Sequence, residues 1–499
     1  MRSIKQDSLK KNQSLVNTLL FGLLLFVFVV SPLPLGSNRV WASLALSGFS
    51  FAILSIYLIA KAFRSANAVS PSNRGLGIDI GATLIFLEAV WLFVQALIKV
   101  PVDWMAIISP ITAQYYASAF SILSAEKIPE AITISLDRGV TLNSALLTLA
   151  VFSVVYMMGQ LITTPKQLRL FCYTIVLSGC FQALYGVMMT LTGVEHLLFI
   201  AKTKYIGNAT GTFVNRNSLA GYLEMALAVG VGLLLGLRKT QQVKPSQWNW
   251  RRVTRKVLET LLSEIIVVRF MLVIMVVGLI MTHSRMGNGA FFNALLITSA
   301  GALLASGGSR SSGQYRNPGF LAILASIITI DIFLLGSVFQ LDKVVERLEK
   351  TTLEHESRDE VVTYIMTMLP DFWLTGSGAG TFMYIFPNYA KEDFGMFYDF
   401  AHNDYLQIFL ELGLIGSIPL VLYTALALLR GSVLMVRGRT GMSRGMGFAA
   451  TMAGISLLIH STVDFNLQIP ANLLLFAAVL RLPAIAIKID RLAKGTTDI

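Results

Sequence analysis

The most constraining feature of this chain is a series of about twelve apolar runs, each close to the roughly 20 residues that a membrane-spanning helix needs. Charged residues make up only 14% of the 499 residues, whereas about a quarter is usual in soluble domains. We therefore predict an all-α polytopic membrane protein, with residues 1–499 forming a single integral membrane domain. The predicted spans lie near residues 15–34, 40–60, 79–99, 141–162, 168–190, 217–237, 265–282, 287–306, 318–340, 403–429, 446–462 and 469–487.

The loops on one side of the predicted membrane are basic and contain no acidic residue. Loops that remain in the cytoplasm are enriched in Lys and Arg, so we expect both termini to be cytoplasmic. The same enrichment accounts for the net charge of +12, which gives no reason to expect a nucleic-acid partner. The basic loops are 61–78, 163–169, 238–258 and 430–445.

The longest connection on the opposite, outer side is 341–401, between the ninth and tenth predicted spans. It contains eleven acidic and five basic residues, which argues against a cytoplasmic loop. Loops of this length are usually functional or disordered, and its aromatic residues favour order. We predict a large ordered cap over the outer face of the bundle.

Four candidate residues emerge on that outer face: Arg216, Arg285, His402 and Asp464. Arg216 precedes an apolar helix, whose first N–H groups favour an anion, and a guanidinium beside them would suit a diphosphate. An interfacial arginine that extends to the lipid headgroups is the alternative.

Arg285 lies in a very short turn between two apolar runs, which keeps it close to the rim of the bundle. His402 lies where the long outer loop enters a helix. An imidazole has an ordinary pKa near 6.5, so it can accept a proton from a hydroxyl at neutral pH. A structural role for each residue remains the alternative at this stage.

Acidic residues inside apolar runs are costly and are usually paired or functional. Glu88, Glu224, Asp331 and Glu411 are of this kind. Glu88, Glu224 and Asp331 would suit a proton relay in a transporter or lipid flippase, yet the chain shows no internal repeat of the kind common in transporters. The segment Gly376–Gly380 lacks the lysine and the βαβ context of a nucleotide loop. No HExxH or DxD motif is present, and we expect neither a metal nor a cofactor.

Together, the motifs between about residue 200 and residue 475 resemble the O-antigen ligase and O-antigen polymerase superfamily of bacterial surface-polysaccharide assembly. Two departures concern loop shape, because Trp373 and Ala401 stand where the family commonly has proline. The elements that carry the resemblance are Gly211–Asn217 (GTFVNRN), Ser284-Arg285, Ser357-Arg358, Leu374–Phe382 (LTGSGAGTF), His402–Gln407 (HNDYLQ), Glu411–Gly416 (ELGLIG) and His460–Pro470 (HSTVDFNLQIP).

This resemblance implies a GT-C-like bundle in the bacterial inner membrane that transfers a whole glycan from undecaprenyl diphosphate to an acceptor hydroxyl on the periplasmic side. It implies that Arg216 and Arg285 stabilise the departing diphosphate and that His402 positions or deprotonates the acceptor, with inversion and without a metal. Further substrate-binding candidates are Asn215, Asn217, Arg358, Asn403, Tyr405, Glu411 and Asp464. For Glu411 and Asp464 a structural role stays equally open, and Arg358 has acidic neighbours with which it could pair.

The acceptor is not determined by these motifs. A ligase would use lipid A–core, a polymerase would use a second lipid-linked repeat unit, and a protein O-oligosaccharyltransferase would use a protein. Expected partners are the lipid-linked donor, one such acceptor, the bilayer and a chain-length regulator or other polysaccharide-assembly proteins. A lipid-linked glycan flippase is the alternative from another functional class.

Overall fold

The computed structural model of the chain describes residues 2–66, 79–122, 129–237, 263–305, 357–390 and 397–495. In chain order, its helices are α1 (Arg2–Val30), α2 (Val40–Ala66), α3 (Ile80–Leu97), α4 (Val102–Ile108), α5 (Pro110–Ile122), α6 (Arg138–Leu161), α7 (Pro165–Thr192), α8 (Arg216–Leu237), α9 (Glu264–Met281), α10 (Arg285–Ala305), α11 (Ser357–Phe372), α12 (Phe382–Tyr389), α13 (Asp404–Arg437), α14 (Gly441–His460) and α15 (Pro470–Gly495). Ten of these, all except α1, α4, α5, α11 and α12, are long and apolar enough to cross a membrane. The protein is therefore a mainly helical, multi-pass membrane protein, as the sequence predicts.

Ten of the predicted spans coincide with these ten helices. The first predicted span, 15–34, corresponds to the apolar part of α1, Leu15–Val30, which is shorter than the others. The predicted span 318–340 and the first part of the cap, 341–356, lie outside the described residues. The total of about twelve spans stays a prediction.

Side-chain oxygens at the N-termini fix where several of the helices begin. The Asp79, Asp137, Thr164, Asn403 and Thr440 side chains each accept a backbone N–H from the first turn of the helix that follows. These N–H groups have no partner within the helix, so each cap stabilises its helix start by about 1 kcal/mol. Asn403 sets the start of α13 next to His402.

Helix α8 occupies the centre of the bundle. In its apolar window 94% of the residues are buried, more than in any other span among the described residues. Gly232 of α8 and Gly445 of α14 bring the two backbones together, since a methyl group on either would collide with the other's carbonyl. Close approach at small residues is the usual packing mode of membrane helices.

The described part of the predicted cap forms helices α11 and α12, which pack on α13 and on α5 through an apolar cluster. The Tyr389 hydroxyl donates a hydrogen bond of 2.5 Å to Asp371. Burial, then the Asp371 carboxylate, raises the pKa of Tyr389, so the hydroxyl remains a donor. The apolar cluster comprises Val361, Ile365, Met368, Phe372, Phe382, Ile385, Phe386, Ala401 and Leu410, with Ile111 and Tyr115 against it.

Two short pairs of antiparallel strands also lie in the connections. Strand β1 (Lys99–Pro101) pairs with β2 (Ala131–Thr133), and β3 (His196–Leu197) pairs with β4 (Ile200–Ala201).

Helix α13 is broken at Gly413, where φ is 66° and ψ is −174°. The Leu414 N–H donates to the Trp373 carbonyl at 2.7 Å, and the Gly378 N–H donates to the Glu411 carbonyl at 3.0 Å. The segment that precedes α12 therefore satisfies backbone groups that the break leaves open, as a membrane-embedded helix requires. This docking attaches the cap to α13 about three turns from His402.

We expect Gly413→Ala to destabilise the protein by about 1–3 kcal/mol from backbone strain, because this conformation is essentially restricted to glycine. The added methyl group would also meet the Gly376 amide and the Leu374 carbonyl. The thermal unfolding midpoint in detergent should fall. Gly48→Ala is the matched control, since open space surrounds the exposed, helical Gly48. A Gly413→Ala midpoint equal to that of the control would contradict this expectation.

Candidate active site

The N-termini of α8, α10 and α13 lie at one end of the bundle, together with the connection 461–469 between α14 and α15. We call this the His402 end. The Asp404 N–H donates to the Ser461 carbonyl at 3.0 Å, which joins the start of α13 to this connection. The Asn472 amide donates to the Ser218 carbonyl at 3.0 Å, which joins the start of α15 to α8. The residues that the sequence singles out at helix starts thus lie at a common end.

Arg216 and the turn before α10 meet at a single side chain, that of Asn208. The Arg216 Nη1 donates to Asn208 Oδ1 at 3.0 Å, and His283 Nδ1 lies 3.1 Å from the same oxygen. The Arg216 guanidinium also lies 5.8 Å from the centre of the Tyr205 ring. A neutral amide oxygen therefore holds a guanidinium and an imidazole side by side.

The loop that carries Asn208 is fixed by a largely buried ion pair. Lys202 Nζ lies 2.6 Å from Glu195 Oε2, and it also donates to the Asn208 carbonyl at 2.6 Å. The second oxygen of Glu195 accepts the Gly207 N–H at 2.8 Å. Because each of these bonds is to a charged group, the loop is held more firmly than by neutral hydrogen bonds alone.

Arg285 is the first residue of α10, and its side chain is exposed. The Ser284 hydroxyl accepts the Gly287 N–H at 3.2 Å and so caps this helix. A methyl group on Gly287 would meet Ala220 of α8 at 2.6 Å, so the first turns of α8 and α10 are in contact. The backbone of Arg285 is thus fixed against the helix that Arg216 begins, while its guanidinium faces outward.

His402 is half-buried and has a positive φ of 51°, which is uncommon for a residue other than glycine. Its ring packs edge-on against Phe465 with the ring centres 4.8 Å apart. Next to it, the Asn403 amide donates to the Thr462 carbonyl at 2.9 Å. The connection 461–469 is therefore the platform on which His402 rests.

The other candidates on this platform bond mainly to the protein itself. Asp464 is 2% exposed, and one of its oxygens accepts the Phe465 N–H at 2.8 Å. The Tyr405 hydroxyl donates to the Leu458 carbonyl at 2.8 Å. At the start of α8, Asn215 is buried and its oxygen accepts the Asn217 N–H at 2.9 Å. These contacts shape the site, and Asn217 and Tyr405 keep enough exposure to reach a substrate.

Residues 270–421 match the family model described as O-antigen ligase, Wzy_C. This match supports the resemblance of the chain to the O-antigen ligase and polymerase superfamily. No curated protein matches the chain. The matched range includes Arg285, Arg358 and His402 but not Arg216 or Asp464. The resemblance stated from the sequence is confirmed.

Within the O-antigen ligase match, Glu411 is 1% exposed and bonds to the cap. Its carboxylate accepts the Gly380 N–H at 2.9 Å, the Phe382 N–H at 3.2 Å and the Gln407 amide at 3.1 Å. Of the two roles that the sequence left open for Glu411, these bonds favour the structural one. Arg358 lies in the first turn of α11, and its backbone alone is described.

Sequence reasoning missed two parts of the candidate site. Asn208, which bridges Arg216 and His283, carried no signal beyond its position in a polar loop. The pairing of Glu224 with His460 was also missed, although an acid in an apolar run was a signal that some partner existed. In the ranges that the structure describes, no three His, Cys, Asp or Glu side chains are arranged to hold a metal ion.

Proposed function

We propose that the protein transfers a glycan en bloc from undecaprenyl diphosphate to an acceptor hydroxyl on the periplasmic side of the bacterial inner membrane. The observation that carries the proposal is the bridge through Asn208, which ties Arg216 to the turn of Arg285 at the end where His402 also lies. We infer that this end is periplasmic because the basic loops lie on the opposite side of the predicted membrane. The O-antigen ligase match supports the reaction class.

In the proposed step, the bond between the anomeric carbon of the glycan and the diphosphate oxygen breaks. The acceptor oxygen forms the new glycosidic bond from the opposite face, with inversion. The acceptor proton passes to His402, and the negative charge that develops on the leaving diphosphate is stabilised by Arg216 and Arg285. The diphosphate is already an activated leaving group, so the step is written without a metal.

The acceptor is proposed to enter beneath the cap formed by α11 and α12. The cap is attached to α13 at Gly413 and to α5 by its apolar cluster, close to the start of α13 where His402 lies. The cap is thus in a position to select among acceptors, whereas Arg216 and Arg285 begin α8 and α10.

The test is transfer by purified protein in detergent, with undecaprenyl-diphosphate-linked glycan as donor and each acceptor in a separate reaction. Product on lipid A–core would identify a ligase, lengthening of the lipid-linked glycan a polymerase, and a glycosylated protein the third branch. A chelator should leave the rate unchanged. Movement of the donor across proteoliposomes without a new glycosidic bond would instead indicate a flippase.

Asn208→Ala should raise the donor KM and lower kcat/KM by about tenfold or more, because a hydrogen bond to a charged group contributes roughly 1.5–3 kcal/mol. Asn208→Asp should lower kcat/KM further, since it retains an acceptor but places a negative charge beside the diphosphate site. Steady-state kinetics against donor concentration would measure both. Asn38→Ala, in the connection before α2, is the control. Equal kinetics for Asn208→Asp and wild type would contradict this electrostatic role.

A further inference from the structure

A buried chain of ionisable side chains lies under the site and takes no part in the step proposed above. Glu224 and His460 are both fully buried, and Glu224 Oε1 lies 2.7 Å from His460 Nδ1. The other oxygen of Glu224 accepts the Ser456 hydroxyl at 2.6 Å. The remaining ring nitrogen of His460 lies 3.8 Å from Asp464 Oδ2. We call these three residues the Glu224–His460–Asp464 chain.

The Glu224–His460–Asp464 chain lies against each of the elements that carry Arg216, Arg285 and His402. Glu224 follows Arg216 on α8 by eight residues, just over two helical turns. A methyl group on Gly287 would lie 3.2 Å from Glu224 Oε1, so the first turn of α10, which Arg285 begins, packs directly on this carboxylate. At its other end, Asp464 immediately precedes Phe465, the ring against which His402 packs.

A second buried acid continues the same arrangement toward α13. Asp404, 1% exposed, accepts the Ser461 hydroxyl at 2.7 Å and the Leu467 N–H at 3.0 Å. Both donors belong to the connection 461–469. The platform under His402 is therefore held from α8 by Glu224 through His460, and from α13 by Asp404.

The cost of such a chain indicates what it contributes. Ionisable side chains buried in a membrane protein are costly and mark functional sites. A buried, hydrogen-bonded charged pair adds little net stability compared with apolar packing. What it does supply is a fixed distance between α8 and α14, because the bonds from Glu224 to His460 and to Ser456 are directional.

We infer that Glu224 and His460 are positioning residues that set the spacing between Arg216 and Arg285, on one side, and His402 on the other. The inference rests on the proposed function. In-line displacement needs the leaving diphosphate and the acceptor hydroxyl on opposite faces of one carbon, and a misplacement of about 1 Å lowers the rate about 100-fold. The Glu224–His460–Asp464 chain is a direct physical link between those two sides.

Two substitutions at His460 test its contact with Glu224 and its contact with Asp464 separately. The amide nitrogen of His460→Asn lies near the place of Nδ1 and keeps the bond to Glu224, whereas that of His460→Gln lies near Nε2 and keeps the contact with Asp464. We expect His460→Gln and Glu224→Gln to lower kcat by about 10- to 100-fold with the donor KM changed less than about threefold. His460→Asn should retain most of the activity.

The control is Glu88→Gln, which removes another acid from a membrane helix, α3, outside the chain. Positioning is separated from loss of folded protein by a double-mutant cycle with Arg285→Ala, measured on monodisperse protein. In the Arg285→Ala background, Glu224→Gln should lower kcat by a smaller factor than it does in wild type, because the effects of residues that act through one another are not additive. If Glu224→Gln does not fold, the same cycle with His460→Gln decides.

Rates for His460→Gln and Glu224→Gln equal to that of Glu88→Gln would overturn the inference. So would additive losses in the cycle. Absence of transfer by the wild-type protein would instead contradict the proposed function. The positioning role is measured only by comparing variants with an active wild-type enzyme.

Discussion

His402→Ala is expected to lower kcat for glycan transfer by about 10²- to 10⁴-fold, the range typical for the loss of a positioned general base. The acceptor hydroxyl is a weak nucleophile until its proton is taken. His402 is half-buried, lies at the start of α13 and is held by Phe465, so its ring has a defined place at the His402 end. Single-turnover transfer with saturating donor would measure the chemical step.

The backbone at His402 calls for a second variant, because φ is positive there. Alanine in this conformation is strained, whereas asparagine tolerates it. His402→Asn should therefore fold like wild type and yet be as inactive as His402→Ala. His196→Ala removes an imidazole from the β3–β4 hairpin and serves as the control. Transfer by His402→Asn at the wild-type rate would exclude His402 as the base.

The membrane architecture was predictable because a spanning helix is specified almost entirely by local composition. About 20 apolar residues must satisfy their own backbone hydrogen bonds, and in lipid a helix does so. The same locality explains why Arg285 and His402 could be placed at helix starts. Both lie where a polar segment of the sequence meets an apolar run.

The connections between these helices were not predictable in the same way. Glu224 and His460 are 236 positions apart, and Asn208 contacts His283 across 75 positions. The break at Gly413 is another example, because its open backbone groups are satisfied by the distant segment before α12. A single sequence shows that a buried acid needs a partner. Which residue is that partner depends on how three helices pack together.

The second large effect is expected at the two arginines. Arg216→Ala and Arg285→Ala should each lower kcat by about 10²- to 10³-fold, as is typical when one group that stabilises developing charge is removed. Lysine at either position keeps the charge but loses the planar, bidentate donor geometry that suits a diphosphate. The lysine variants should therefore fall between wild type and alanine.

The two arginines should differ in one respect that follows from their contacts. Arg216 donates directly to Asn208, so Arg216→Ala also removes the guanidinium that Asn208 holds, whereas Arg285 is exposed and only its own guanidinium is lost. Arg216→Ala should thus weaken the effect of a later Asn208→Ala, and Arg285→Ala should leave that effect intact. Arg39→Ala, an exposed arginine just before α2, controls for the loss of positive charge. If Arg216→Ala and Arg285→Ala both transferred glycan at the rate of Arg39→Ala, other groups would have to hold the diphosphate. The proposed role of the two arginines would then be wrong.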